Sequence, residues 1–147
     1  MKDKFISLYF DIAERVSQLS HAERLKVGAV IVKDDRIVSY GYNGMPAGFD
    51  NCCETQTEDT LGQTLTVTNP EVVHAEMNAI AKVARHNDSC QAASIFITHS
   101  PCVECAKLIL QSGISRVYYK YDYRSTAGID LLKRSEFAIL VTKWDSV

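Results

Sequence analysis

Apolar residues recur at helical spacing through the first twenty positions. Phe5, Leu8, Tyr9, Ile12, Val16 and Leu19 share one side of a wheel, with Asp3, Asp11, Glu14 and Arg15 elsewhere, which predicts an amphipathic helix. The period then shortens. VGAVIV from Val27 and RIVSYG from Arg36 are β-rich runs separated by the polar turn KDD, the pattern of a β-hairpin. GYNGMPAGFDNCC from Gly41 dissolves into Gly, Pro and Asn turn chemistry. Residues 54–68 are polar, Thr-rich and without period, so a surface loop or lid is expected there. Asn69 and Pro70 offer an N-cap and a first helical residue for a helix carrying His74, Met77, Ile80, Ala81 and Ala84. SIFITHS reads as a strand. SPCVECAKLILQSG reads as a helix with Ser100 as N-cap, Pro101 in first position and Gly113 closing it; RVYYKY, AGIDLLKRS and FAILVTK read as strand, helix and strand.

Strands alternating with helices behind an opening hairpin predict an α/β architecture, one mixed sheet flanked by helices. The length, 147 residues, fits a single domain over 1–147, and 46% hydrophobic with 23% charged residues is an ordinary globular balance. Sixteen basic against eighteen acidic residues, with no basic run, argue against a polynucleotide partner. No apolar run is long enough for a bilayer, and the N-terminal stretch lacks a signal-peptide pattern, so a cytoplasmic protein is expected. Five cysteines, an odd number, speak against a disulfide framework and for metal or reactive thiols.

Two short motifs carry the chemistry. In VVHAEMNAIAK, His74 and Glu76 stand two residues apart, and on a helix such side chains diverge, so they cannot grip one ion together. In PCVEC, Cys102 and Cys105 are spaced to share one face near a helix N-terminus, where partial positive charge favours thiolates. One imidazole and two thiolates form a three-ligand set suited to zinc with one position left for water, the arrangement of a catalytic site. Glu76 is then free to shuttle protons. H-x-E followed by P-C-x-x-C is the general signature of zinc nucleobase deaminases.

These stretches, with GYNGMPAG and NCC, make the sequence similar to the zinc-dependent cytidine deaminase superfamily and, within it, to the deoxycytidylate (dCMP) deaminases, most of all the phage-encoded branch. The resemblance implies a three-layer fold with a five-stranded mixed sheet. It also implies hydrolysis of dCMP to dUMP and ammonia in the supply of thymidylate, in the host cytoplasm if phage-encoded. By position, His74, Cys102 and Cys105 would hold Zn2+ and Glu76 would move protons. Asn43, with the backbone of Ala75 and Ser100, would hold the nucleoside, and Arg24, Lys26, Tyr123 and Arg124 are candidates for the phosphate, where arginine offers bidentate donors. The plain alternative for Asn43 is a left-handed turn residue before Gly44. The family further implies a hexamer activated by dCTP and inhibited by dTTP, with Mg2+ on the triphosphate; Asn43, Gly44, Phe49 and Asp50 resemble part of that regulatory loop.

Relatives with a second, structural zinc use histidines that residues 54–68 lack here. His99 and His86 read as ordinary element ends, and Tyr118, Tyr119, Tyr121 and Tyr123 as strand packing. Rival readings are a dual dCMP/dCTP deaminase, a tRNA adenosine deaminase, which needs a basic surface, a free-nucleoside deaminase, and a non-catalytic zinc module, which has no use for Glu76.

Overall fold

The run from Val27 to Val32 is apolar without alternation because both faces of its strand are covered, the usual reason for a continuous apolar strand. A computed structural model describes residues 1–137 and 139–145. Its elements are α1 (Asp3–Ser17), β1 (Gly28–Lys33), β2 (Arg36–Tyr42), β3 (Glu54–Glu58), β4 (Thr64–Thr68), α2 (Ala75–Ala84), β5 (Ser94–His99), α3 (Val103–Ser112), β6 (Arg116–Tyr121), α4 (Ala127–Lys133) and β7 (Leu140–Lys143). The main sheet runs β2-β1-β5-β6-β7; β1 is antiparallel to β2 and β5, and β5, β6 and β7 are mutually parallel. The expected five-stranded mixed sheet is therefore present. Ala29, Ile31, Ile95 and Ile97 enter one core with α2, α3 and α4, while Val30, Val32 and Phe96 enter a second under α1, giving three layers.

The α1 helix forms where predicted, but its buried face is not the one its largest residues mark. Ile6, Tyr9, Phe10, Ala13 and Val16 are buried, whereas Phe5 and Leu8 stay 42% and 46% exposed and Leu19 is exposed as well. The cause is a close crossing: a Cβ on Gly28 would meet Ala13 O and come within 2.8 Å of Ser17 N, so the helix backbone rests directly on β1 at Ala13. Asp34 and Asp35, at φ 51° and 58°, turn β1 into β2.

Residues 54–68 are not a loop. β3 and β4 pair antiparallel from Glu54↔Thr68 to Glu58↔Thr64, as a separate two-stranded sheet. Threonine and valine suit a pleated surface, and Asp59 Oδ1 closes the tip by accepting from the N–H groups of Leu61 and Gln63, both at 2.9 Å. The helix expected from Asn69 begins later. Asn69 spends its side chain on the hairpin root, donating to Cys52 O and bonding Thr55 Oγ1, while Val73 exchanges two backbone hydrogen bonds with Gly44 (2.8 and 3.0 Å). That bridge keeps the chain extended as far as His74, which is the N-cap of α2. Likewise Ser100 continues the strand by donating its N–H to Tyr121 O, so Cys102, not Ser100, is the N-cap of α3, and Gly113 closes that helix as expected. The final strand is shorter than FAILVTK; Ala138 lies outside the described residues.

Edge strand β2 is roofed by α2. Ser39 Oγ donates to Ala79 O (2.7 Å), Asn78 Nδ2 to Tyr42 O (2.8 Å) and Lys82 Nζ to Tyr40 O (2.9 Å), so part of the outer backbone that would template aggregation is satisfied within the chain. A Cβ on Gly41 would meet Ala75 O and lie 2.6 Å from Ala79 N; the first turn of α2 touches β2 backbone to backbone.

Candidate active site

Two helix N-termini deliver the ligand set. His74 caps α2 and Cys102 caps α3, both in extended conformation, so neither side chain is bound by helical periodicity. His74 is thus not in the helix, and the divergence expected of positions two apart on a helix does not apply to it and Glu76. His74 Nδ1 lies 3.5 Å from Cys102 Sγ and 3.3 Å from Cys105 Sγ, and the three donor atoms all fall within 4.8 Å of one another. Ligands at zinc's bonding distances of about 2.0–2.3 Å stand about 3.5–3.8 Å apart around a tetrahedron, so these residues fit the ion.

The charges at this point compete. Cys102 is held down to about 3 by its hydrogen bonds with Cys105 and then with His74, so it is a thiolate at neutral pH. Cys105 is pushed up, first by sharing its proton with Cys102 and then by burial, and the bond to Cys102 raises His74. Glu76, only 4% exposed, is raised by desolvation, so its carboxyl keeps a proton to higher pH than a surface glutamate. Two sulfurs, an imidazole and a buried carboxyl crowded together form an environment that a divalent cation relieves.

A cavity of about 650 Å³ opens over this cluster. Its walls include His74, Glu76 and Cys102 together with six of the sequence candidates, Asn43, Ala75, Ser100, Arg24, Tyr123 and Arg124. Ala75 is the first residue of α2, where an N–H has no intrahelical acceptor. Ser100 has spent its N–H on Tyr121, and its Oγ accepts from Tyr123 N–H (2.8 Å). The Asn43 amide bridges the 25–27 segment, accepting from Val27 N–H (2.9 Å) and donating to Leu25 O (2.8 Å). Asn43 is not in the left-handed region, where Asp34, Asp35 and Ala92 are the non-glycine residues found among the described residues.

Lys26 is exposed and does not line the cavity, and neither do Gly44, Phe49 and Asp50. Gly44 commits its N–H and its C=O to Val73, Asp50 Oδ1 accepts from Cys52 N–H (3.0 Å), and Phe49 is 57% exposed. Sequence reasoning missed Glu54, Thr68, His99 and Asp122 in the walls. Glu54 Oε1 accepts from the N–H groups of Glu23 (2.9 Å) and Arg24 (3.3 Å), and Arg24 reaches Thr68 Oγ1 (3.4 Å), so the hairpin root fixes the Arg24 wall. No spacing rule signals this, because the partners are about thirty residues or more apart.

The family model of the cytidine and deoxycytidylate deaminase zinc-binding region matches residues 3–121. ComE operon protein 2 of Bacillus subtilis (strain 168) is 39% identical over 109 residues, 72% of this chain and 53% of the relative, so the chain spans about half of that protein's length. The deoxycytidylate deaminase of Enterobacteria phage T4 is 35% identical over 164 residues, 88% of this chain and 85% of the relative. Among solved structures, dCMP deaminase from the cyanophage S-TIM5 in complex with dCMP and dUMP is 43% identical with a TM-score of 0.85, covering 98% of this chain and 99% of that one.

Proposed function

The chain belongs to the cytidine and deoxycytidylate deaminase family, and from that premise we propose that it is a dCMP deaminase, converting dCMP and water to dUMP and ammonia. One observation carries the substrate: the structure that matches nearly the whole chain at 43% identity is a dCMP deaminase holding dCMP and dUMP. His74 Nδ1 and the sulfurs of Cys102 and Cys105 are the groups that would hold zinc. When bound, zinc supplies Lewis acidity that brings the pKa of water toward neutrality.

The remaining chemistry belongs to the chain. A carboxylate oxygen of Glu76 takes a proton from water as the water oxygen adds to C4 and delivers it to N3; it then takes the second proton and hands it to the departing amine. The carbonyl of the product forms as the C4–N bond breaks, so atoms and protons balance. Burial of Glu76 serves both halves, because a raised pKa makes the carboxyl a willing donor after it has been a base. Arg24 and Arg124, in the cavity wall, suit the 5′-phosphate, and the Ala75 N–H and Ser100 C=O suit the edge of cytosine.

Finer features of this function rest on the family. They are a single catalytic domain over 1–147, a hexamer, a place in thymidylate supply in the cytoplasm, activation by dCTP carrying Mg2+ and inhibition by dTTP. Exposed Phe49 supports the regulatory reading, since an aromatic ring in the 43–50 loop offers a face for a base, while Gly44 has no backbone donor to spare for a phosphate. Among the described residues no helix is long and apolar enough to cross a membrane.

The test is ammonia release by the zinc-loaded protein from dCMP, deoxycytidine, CMP and dCTP, with dCMP turnover also followed with added dCTP and with added dTTP. Preference for dCMP supports the reading. Equal use of deoxycytidine refutes the phosphate contacts, and a response flat to dCTP and dTTP refutes regulation.

A further inference from the structure

The mechanism above gives no task to His99, yet its ring stands in the cavity wall. The alternation that turns Ile95 and Ile97 toward α2 and α3 brings His99 to the same side, at the end of β5. Its Nδ1 lies 2.9 Å from Thr98 Oγ1, and that oxygen accepts the N–H of Gly28 at 3.1 Å. A hydroxyl that accepts a backbone N–H still has its own proton to place. Thr98 is 1% exposed, and among the described residues no other acceptor lies within its reach. The proton therefore goes to His99 Nδ1, and the ring's own proton sits on Nε2. Nε2 has no protein partner among the described residues and is not a buried orphan, so it is open to solvent, on a residue that lines the cavity. Burial lowers the pKa of His99, outweighing the Glu14 charge that raises it, and so favours the neutral ring.

Resting on the dCMP reading, we propose that His99, its tautomer locked by Thr98, presents Nε2–H as a neutral donor to an acceptor oxygen on the non-reacting half of the nucleotide, a sugar hydroxyl or the 5′-phosphate. The reacting C4, N3 and amine are already served by Glu76 and the ligand cluster. His99 instead pairs in register with Tyr121, whose strand continues into the cavity wall as Asp122, Tyr123 and Arg124, the side that carries a cation. A neutral donor binds an oxygen there without adding to that charge.

Two readouts test this. In long-range 15N–1H spectra of labelled protein, the His99 ring, assigned by its loss in His99→Gln, should show unprotonated Nδ1 and protonated Nε2. In kinetics, His99→Phe should raise KM for dCMP about tenfold, the weight of one hydrogen bond to a phosphate or sugar oxygen, with kcat and zinc content little changed. His99→Gln, whose amide N–H reaches about as far as Nε2–H, should restore KM. Should His99→Phe fail to fold, His99→Asn replaces it, because its amide mimics Nδ1 and falls short of Nε2.

The substrates separate the two sources of the oxygen. A KM rise lost with deoxycytidine assigns the phosphate; a rise kept with deoxycytidine but lost with 2′,3′-dideoxycytidine assigns the sugar hydroxyl. A wild-type protein that turns over dCMP while Nδ1 carries the proton, or while KM is unchanged in the variant for all three substrates, overturns this inference alone. A wild-type protein that releases no ammonia from any of them overturns the substrate reading and this inference with it.

Discussion

Replacing Gly41 with alanine tests whether the distance between β2 and α2 sets the active site. The new Cβ would sit 2.6 Å from Ala79 N and closer still to Ala75 O, and ordinary contact begins at 3.4 Å, so relieving the closer contact needs α2 to retreat by about 1 Å. The three side-chain bonds that tie α2 to β2, now 2.7 to 2.9 Å, would stretch to about 3.7 Å or beyond. At about 1 kcal/mol each they sum to about 3 kcal/mol, in line with the cost of overpacking. For a chain of this size that lowers Tm by about 10 °C. The retreat also carries His74 and Glu76, on either side of Ala75, away from Cys102 and Cys105 at the start of α3, and a displacement near 1 Å costs about a hundredfold in turnover. Thermal unfolding and steady-state deamination of dCMP read the two effects. A Gly41→Ala protein with wild-type Tm and wild-type kcat would refute the claim that backbone contact fixes this helix.

Glu76→Gln keeps shape and removes the proton carrier, so kcat should fall by about 10²–10⁴ while zinc content and the circular dichroism spectrum stay as in the wild type. Phe96→Ala empties the centre of the α1 layer, where the ring is 0% exposed and meets Tyr9, Phe10 and Tyr118 at 5.0, 5.6 and 4.7 Å; about 3–5 kcal/mol should be lost in urea unfolding, while KM should change little because the ring faces the α1 side of the sheet and the site lies on the other. His99 has a folded pKa below its ordinary 6.5, so its contribution to stability is full above 6.5 and is lost as pH falls from there through the folded value; His99→Gln should flatten the decline in stability in that window. Chelation by dipicolinate should abolish turnover, and added Zn2+ should restore it.

Periodicity identified the main sheet and its helices because their residues bury by local rules: β1 is apolar on both faces and α1 on one. It misjudged ends and faces wherever a distant partner decides. Nothing near Asn69 says that its amide belongs to Cys52 and Thr55, or that Gly44 will hold Val73 extended and so make His74 a cap. The buried side of α1 depends on Gly28 crossing at Ala13, which a helical wheel cannot contain. The ligand set was legible because H-x-E and C-x-x-C are compact. Glu54, Thr68 and His99 were not, since each reaches the cavity through a contact whose other half lies elsewhere in the chain or, for His99, through the buried hydroxyl beside it. The 54–68 hairpin was hidden for a simpler reason: with neither face in the core, it has no apolar alternation to read.

That hairpin leaves and re-enters the fold at nearly one point, for Asn69 N–H bonds Cys53 O at 2.8 Å and its side chain bonds Cys52 O at the same distance. A closed excursion of this kind is a cassette. Its length and tip, residues 59–63, can be rewritten without moving either end, while Glu54 and Thr68 stay at the cavity. The fold thus separates what must be held constant for chemistry from a stretch free to diverge, and grafts at 59–63 offer a way to attach a new recognition element beside the cavity while leaving its floor unaltered.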